Sequence, residues 1–178
     1  AVRLLRARGI KVVGVDPDEA KRADAKQAGA SVPALGVPLT TLVPGGAAGV
    51  LITASTSSDE PVNQAARLCR RRGRVVLVGV TGLTLNRADF YENEVTFQVS
   101  RSYGSADASD PSSARANFDE VLALMASGGL DVATLLSSRH PFDCELFQQL
   151  ITIRLIAHGI FQFFLAIFAV FVINKHLW

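Results

Sequence analysis

Three short runs of β-branched and apolar residues, separated by segments with helical patterning, constrain the fold of this chain most strongly. The runs are KVVGV at 11–15, GVLITA at 49–54 and GRVVLVGV at 73–80. Because parallel strands need a crossover connection, which a helix usually supplies, strands that alternate with helices predict βαβ units. The second and third runs are mostly apolar, which is typical of strands covered on both faces. We therefore predict an α/β fold with a doubly wound parallel sheet.

Turn and cap signals predict where the helices lie. The opening segment AVRLLRARG has the pattern of an amphipathic helix that stops at Gly9. An Asp-Pro-Asp turn leads into a predicted helix at 19–27, and another helix is predicted to start near Pro61 and to run to about Arg72. Helical spacing returns at Phe118 and ends at Gly128. Alternation of apolar and polar residues predicts one more strand at 94–100, whereas the prolines and glycines of 30–48 predict irregular structure.

Length, charge and cysteine content exclude several classes of function. The 178 residues suffice for one α/β domain with an appendage. Lys and Arg total 18 against 16 Asp and Glu. This near balance does not indicate the strongly basic surface that binds nucleic acid. The chain has two cysteines, Cys69 and Cys144, and they lack the spacing of a structural zinc site. Cys69 falls on a helical apolar series and is predicted to be a buried apolar residue.

Asp16, directly after the first predicted strand, is the first candidate for a binding residue. In a nucleotide-binding βαβ unit, an acidic residue at this place accepts hydrogen bonds from the adenosine ribose hydroxyls and repels a 2′-phosphate. An Asp in front of Pro is also a common cap for the helix that follows. The local pattern leaves both interpretations open.

Two longer stretches carry a family resemblance. GVDPDEAKRADAKQAGA and GVLITASTSSDEPVNQAARLCRRRGRVVLVGV resemble the cofactor domain of zinc-type alcohol dehydrogenases, in the medium-chain dehydrogenase/reductase superfamily. The similarity covers most of residues 1–150. YENEVTFQVSRSYG is similar to a bacterial branch in which such a dehydrogenase is fused to a second oxidoreductase module. The resemblance implies a Rossmann-type domain of an NAD-dependent oxidoreductase, which transfers a hydride between the nicotinamide and an alcohol or carbonyl substrate.

The resemblance also implies roles for individual residues. Asp16 matches the position that holds the adenosine ribose, so its carboxylate implies NAD rather than NADP. Lys21 matches a lysine that reaches the same ribose. The remaining matches are cofactor contacts at strand ends, made by Thr53, Ala54, Gly79, Val80, Arg101 and Ser102. No catalytic or metal-binding residue is implied, because the zinc of this family belongs to its catalytic domain.

The glycine-rich G-x-G-x-x-G loop that cradles the pyrophosphate would precede Ala1 by this resemblance, and the sequence does not contain it. We therefore expect residues 1–150 to form an incomplete Rossmann-type NAD-binding domain, truncated at its N-terminus, without its first strand. We also expect weak or no NAD binding, and no catalysis, from this chain alone. Related dehydrogenases often dimerise, so a homodimer is possible, and a cytoplasmic location is expected.

The last segment, 151–178, departs from the family pattern. Residues 155–173 are nearly all apolar, and as a helix they would span about 28 Å at ~1.5 Å per residue, close to a bilayer's hydrocarbon thickness. Three interpretations are open: a membrane-anchoring helix, a frame-shifted coding end, and a buried helix or oligomer contact. The first would place the chain at a membrane and favours an alternative function, a non-catalytic, membrane-anchored Rossmann-like binding module.

Overall fold

The computed structural model describes residues 1–100, 104–105, 107, 109–110, 113–135 and 170–174. Within these residues the chain alternates helices and strands from its first turn onward. The elements are, in order, α1 (Val2–Ala7), β1 (Lys11–Val15), α2 (Glu19–Gln27), α3 (Leu39–Leu42), β2 (Ala47–Ile52), α4 (Glu60–Leu68), β3 (Cys69–Leu77), α5 (Arg87–Tyr91), β4 (Thr96–Val99), α6 (Ala114–Ala126), a 3-10 turn (Ala133–Leu135) and β5 (Val170–Asn174).

The strands form one sheet in the order β1-β5-β2-β3-β4. Strands β2, β3 and β4 run parallel to one another, with α4 and α5 in the connections between them. This part confirms the predicted parallel α/β sheet. Strand β5 runs antiparallel to both of its neighbours, β1 and β2, so β1 and β2 point in the same direction. The sheet is therefore mixed rather than purely parallel.

The main core lies between α4 and the middle of the sheet. Val50 and Ile52 of β2, Val75 of β3, and Val62 and Ala65 of α4 are all at most 1% exposed. Full burial of a Val or Ile side chain stabilises a fold by roughly 1.5–3 kcal/mol. This cluster holds α4 against the parallel strands, as the continuous apolar pattern of β2 predicts.

A second, smaller cluster holds the first helix and the first strand together. Val2 of α1, Val12 of β1 and Ala30 after α2 are buried against one another. Ser31 forms an isolated parallel bridge with Val13, on the edge of β1 that faces away from β5. The predicted irregular segment 30–48 also holds the one-turn helix α3, and its last two residues already belong to β2.

The predicted end of α4 at Arg72 is wrong. The helix ends at Leu68, and β3 begins at Cys69, which pairs with Ala47 of β2. Pairing with β2 therefore overrides the helical apolar series that runs through Cys69. The arginines that follow Cys69 belong to the strand: Arg71 and Arg72 are exposed on β3 and form ion pairs with Glu94.

The predicted apolar helix of residues 155–173 is wrong at its C-terminal end. Residues 170–173 belong to the extended strand β5, and 155–169 lie outside the described residues. In the described part of the chain, no helix is both long enough and apolar enough to cross a membrane. Val and Ile are stiff at χ1 and favour extended structure, and here two strand edges accept the backbone of the segment.

Candidate nucleotide site

A cavity of about 330 Å³ lies at the carboxyl end of β1, next to the first turn of α1 and one face of α2. Ligand pockets in proteins span roughly 300–1,000 Å³, so this one suits a fragment the size of a nucleoside. The lining residues are Ala1, Val2, Arg3, Gly14, Val15, Asp16, Lys21, Arg22, Asp24, Ala25, Gln27, Ala28 and Leu135.

Asp16 is the buried acid of this cavity. Only 6% of its surface is exposed, and its Oδ1 accepts a hydrogen bond of 2.9 Å from the backbone N–H of Asp18. Burial raises the pKa of the Asp16 carboxyl above its usual range, and the Asp18 N–H and the Lys21 charge oppose that rise. A carboxylate has about four acceptor positions, so Asp16 keeps capacity for hydroxyl groups in the cavity.

The structure separates the two interpretations of the Asp-Pro-Asp turn. The cap of α2 is Asp18, whose Oδ1 accepts hydrogen bonds from the backbone N–H groups of Ala20 and Lys21, at 2.8 and 3.3 Å. Asp16 is not the residue that caps the helix. Asp16 instead lines the cavity, with its Oδ1 held by the backbone N–H of Asp18.

Two cations lie on α2 beside the acid. Lys21 lines the same cavity as Asp16, so the structure brings together the two residues that the resemblance assigns to the ribose. The Arg22 guanidinium donates hydrogen bonds to the backbone oxygens of Asp16 and Pro17, at 3.1 and 2.8 Å. Arg22 thereby braces the turn and adds positive charge to the cavity. Arg22 was not predicted from the sequence, although it lies only six residues after Asp16.

The candidate contacts at the next two strand ends also come together. The backbone N–H of Val80 donates to the oxygen of Ala54 at 2.9 Å, and a Cβ placed on Gly79 would stand 2.0 Å from that same oxygen. Glycine is therefore required for the close approach of the segments that follow β2 and β3. Thr53 is half-buried and Val80 is exposed.

These strand-end residues do not line the cavity beside Asp16. Because β1, β2 and β3 point in the same direction, both groups nevertheless lie along the carboxyl edge of one sheet. The predicted contacts at Arg101 and Ser102 lie outside the described residues. Ala1, Arg3 and Leu135 were not predicted from the sequence, since only the fold brings them to the cavity.

No group of three His, Cys, Asp or Glu side chains that could hold a metal ion occurs among the described residues. Cys69 is 3% exposed, and burial raises the pKa of its thiol to about 12. A thiol with that pKa is almost wholly protonated at neutral pH and is a poor metal ligand or nucleophile. Its position in the core confirms the interpretation of Cys69 as a small apolar residue.

A family model described as zinc-binding dehydrogenase matches residues 1–127, which include the cavity wall from Ala1 to Ala28. The chain belongs to the zinc-binding dehydrogenase family. The resemblance to the zinc-type alcohol dehydrogenases is thereby confirmed. The matched residues include Asp16 and Lys21, together with the strand ends at Thr53 and Gly79.

Solved structures with the same fold include three oxidoreductases. The D-arabinose dehydrogenase from Sulfolobus solfataricus is 21% identical with a TM-score of 0.60, over 73% of this chain and 39% of that one. An NAD-dependent alcohol dehydrogenase is 18% identical with a TM-score of 0.56, over 73% and 37% of the two chains. A quinone oxidoreductase from Pseudomonas syringae pv. Tomato DC3000 is 20% identical with a TM-score of 0.55, over 75% and 43%.

The matched part of the chain thus spans about two fifths of the length of those enzymes. At these identities the likeness establishes a shared fold. No curated protein sequence matches the chain.

Proposed function

We propose that this chain is the cofactor-binding part of an NAD-dependent dehydrogenase, and that its cavity receives the adenosine end of the dinucleotide. The observation that carries the proposal is the position of Asp16: a buried carboxylate at the end of a sheet strand, facing a cavity together with Lys21. The family membership adds that such a residue lies in an oxidoreductase sequence.

The residues present fit the adenosine half of the cofactor. With the dinucleotide bound, the carboxylate of Asp16 would accept hydrogen bonds from the ribose hydroxyls, and Lys21, which lines the same cavity, would donate to a ribose hydroxyl. A 2′-phosphate would bring two negative charges against a carboxylate that is already partly desolvated. The site therefore favours NAD over NADP.

The strand ends beyond the cavity would hold the other half of the cofactor. The backbone groups of Thr53, Ala54, Gly79 and Val80 lie on the same sheet edge as Asp16, further along in the strand order. When bound, the nicotinamide ring supplies or accepts the hydride for an alcohol or carbonyl substrate. The part played by this chain is to fix the adenosine and so to orient the rest of the dinucleotide.

The family name implies zinc, but the described residues offer no site that fits it. We therefore assign no step to a metal. We infer that the chain by itself does not catalyse alcohol oxidation, because it matches only about two fifths of the length of the dehydrogenases that share its fold. Detection of alcohol oxidation by the purified chain with NAD would contradict this inference.

The proposal is tested by measuring the affinity of the chain for AMP and for 2′-AMP by isothermal titration calorimetry. We expect AMP to bind at least about tenfold more tightly, since a 2′-phosphate meets the Asp16 carboxylate. The Asp16→Asn variant should lose most of this preference. The matched control is Asp119→Asn, which alters an exposed acid on α6 that pairs with Arg115. Equal affinity for the two nucleotides in the unaltered chain would refute the proposed role of Asp16.

A further inference from the structure

Strand β5 fills a slot between two strands that do not pair with each other. Val172 is opposite both Val13 of β1 and Val50 of β2, and Phe171 is opposite Gly14 and Leu51. The pairing involves all five residues of β1 and the last four of β2, with no register shift. The two edges of the slot are thus matched along nearly the whole length of the inserted strand.

The alternation of backbone groups shows which amides face the slot. The Gly14 N–H donates to the oxygen of Ser31 at 2.9 Å, and the Ser31 N–H donates to the oxygen of Val12, so these groups point away from β5. Because successive residues of a strand direct their N–H groups to opposite sides, the N–H of Val13 points towards β5. Without an occupant, this edge would present unpaired backbone groups, which cost free energy when they are not solvated.

Strands β1 and β2 run in the same direction, so the slot between them also suits a strand that is parallel to both. A strand that led into α1, and through it into β1, would form a βαβ unit with β1 and run parallel to it. In the dinucleotide-binding strand order 3-2-1-4-5-6, such a strand lies between the positions that β1 and β2 hold here. Strand β5 occupies this central position, but it runs in the opposite direction.

We propose that the slot between β1 and β2 is a strand-acceptor site, and that residues 170–174 are its intrachain donor strand. A parallel strand placed ahead of α1 competes with the donor strand for the same two edges. Only one of the two can be seated at a time, because both need the backbone groups of Val13 on one side and those of β2 on the other.

The direction of the donor strand has a consequence for the nucleotide site, and this step rests on the proposed function. Val170, the first residue of β5, is opposite Val15 and Ile52, so the donor strand enters the sheet at its carboxyl edge, beside Asp16. A parallel strand would end at this edge and could continue into a phosphate-binding turn before α1. While β5 is seated, that central position is occupied, so no parallel strand can lead from it into such a turn.

The donor strand is tested by disulfide trapping in the full chain with Cys69→Ala and Cys144→Ala. Directly opposite residues of antiparallel strands have Cα atoms about 4.5–5.5 Å apart, within the range of about 4.4–6.8 Å that a disulfide bridges. We expect Val13→Cys with Val172→Cys to form an intrachain disulfide. The matched control, Val12→Cys with Val172→Cys, places the two thiols on opposite faces and should not form one.

Every other outcome of the trapping contradicts the proposal. A disulfide only between two chains would show that a second copy supplies the strand. Equal trapping of both pairs would show that the strand has no fixed register, and trapping of neither would show that it is not seated.

Hydrogen exchange provides a second test that does not depend on the cysteine variants. Val172→Pro removes a backbone donor from the middle of β5, whereas Val172→Thr keeps it. We expect the proline variant to speed amide exchange at Val13 by about tenfold or more, with a much smaller change at Gly14, whose partner is Ser31. Unchanged exchange at Val13 in the proline variant would overturn the donor-strand assignment.

A comparison of ligands separates this inference from the proposed function. With β5 seated, NAD should bind no more than about threefold more tightly than AMP, since no strand leads from the central position into a phosphate-binding turn before α1. NAD binding more than tenfold tighter than AMP would show that the phosphate position is open, and would overturn the consequence drawn for the site. If neither ligand binds while trapping succeeds, the proposed function fails and the donor strand stands.

Discussion

The backbone N–H of Asp18 donates to Oδ1 of Asp16 at 2.9 Å, so the residue that caps α2 also holds the carboxylate at the end of β1. This single bond couples the start of the helix to the wall of the cavity. It also fixes the division of roles within the Asp-Pro-Asp turn: Asp18 stabilises the helix, and Asp16 is left to face a ligand.

The burial of Asp16 should cost stability at neutral pH. Because burial raises its pKa, the folded state holds the proton more tightly than the unfolded chain does. The contribution of this group to stability is therefore present below the unfolded pKa of 3.8 and is lost as pH rises through the folded pKa. We expect Asp16→Asn to raise the free energy of unfolding at pH 7, and to raise it less at pH 4, in urea titrations. A less stable variant at pH 7 would contradict this account.

The charges around Asp16 predict a change of cofactor preference. Replacing the carboxylate by a small hydroxyl, in Asp16→Ser, should leave Lys21 and Arg22 to attract a 2′-phosphate. We expect this variant to bind 2′-AMP more tightly than AMP, a reversal of the preference of the unaltered chain. Calorimetric titration of both nucleotides measures it. The double variant Asp16→Ser with Lys21→Ala should lose the gain, and its retention would show that the cations are not responsible.

The contact between Gly79 and Ala54 predicts a destabilising substitution. In Gly79→Ala the new Cβ would stand 2.0 Å from the Ala54 oxygen, so the segments after β2 and β3 must move apart. Overpacking of this kind costs about 1–3 kcal/mol. The control is Gly129→Ala, where the nearest atoms to a Cβ are 3.5 Å away and the expected change is within about 0.5 kcal/mol. Equal free energies of unfolding for the two variants would contradict the close approach.

The buried thiol of Cys69 should be inert in the folded chain. Its exposure is 3% and its pKa about 12, so neither access nor ionisation favours reaction at pH 8. In a Cys144→Ala background, a thiol reagent such as Ellman's reagent should leave Cys69 unmodified until guanidinium is added. Stoichiometric labelling of the native chain would show that α4 and β3 do not pack as described.

The sequence predicted those parts of the fold that local signals specify. The bounds of β1 and α2 agree with the prediction because a β-branched run, an Asp-Pro-Asp turn and a terminal Gly29 define them within a few residues. The end of α4 could not be predicted in this way. Its apolar spacing continues through Cys69, and only pairing with Ala47 of β2 turns that residue into strand.

The conformation of residues 170–174 and the lining of the cavity depend on contacts between residues far apart in sequence. The hydrophobic pattern of the sequence does not predict such contacts. An apolar run such as 170–173 suits a helix or a strand equally well in isolation, and the free edges of β1 and β2 select the strand. Asp16 was predicted from its place directly after the first strand, and the family resemblance supplied Lys21. Arg3 and Leu135 were not predicted as cavity residues, because they are more than a hundred residues apart in sequence and only the fold brings both to the cavity.

The proposal that the cavity beside Asp16 binds adenosine is tested most directly by titrating the isotope-labelled chain with AMP and monitoring the backbone amide shifts by NMR. We predict that AMP causes the largest shift changes at the amides of Asp16, Asp18 and Lys21, with smaller shift changes at Val2 and Arg3 across the cavity. Shifts confined to other parts of the chain, or no saturable shifts at millimolar AMP, would contradict the assignment of this cavity to the adenosine end of a dinucleotide.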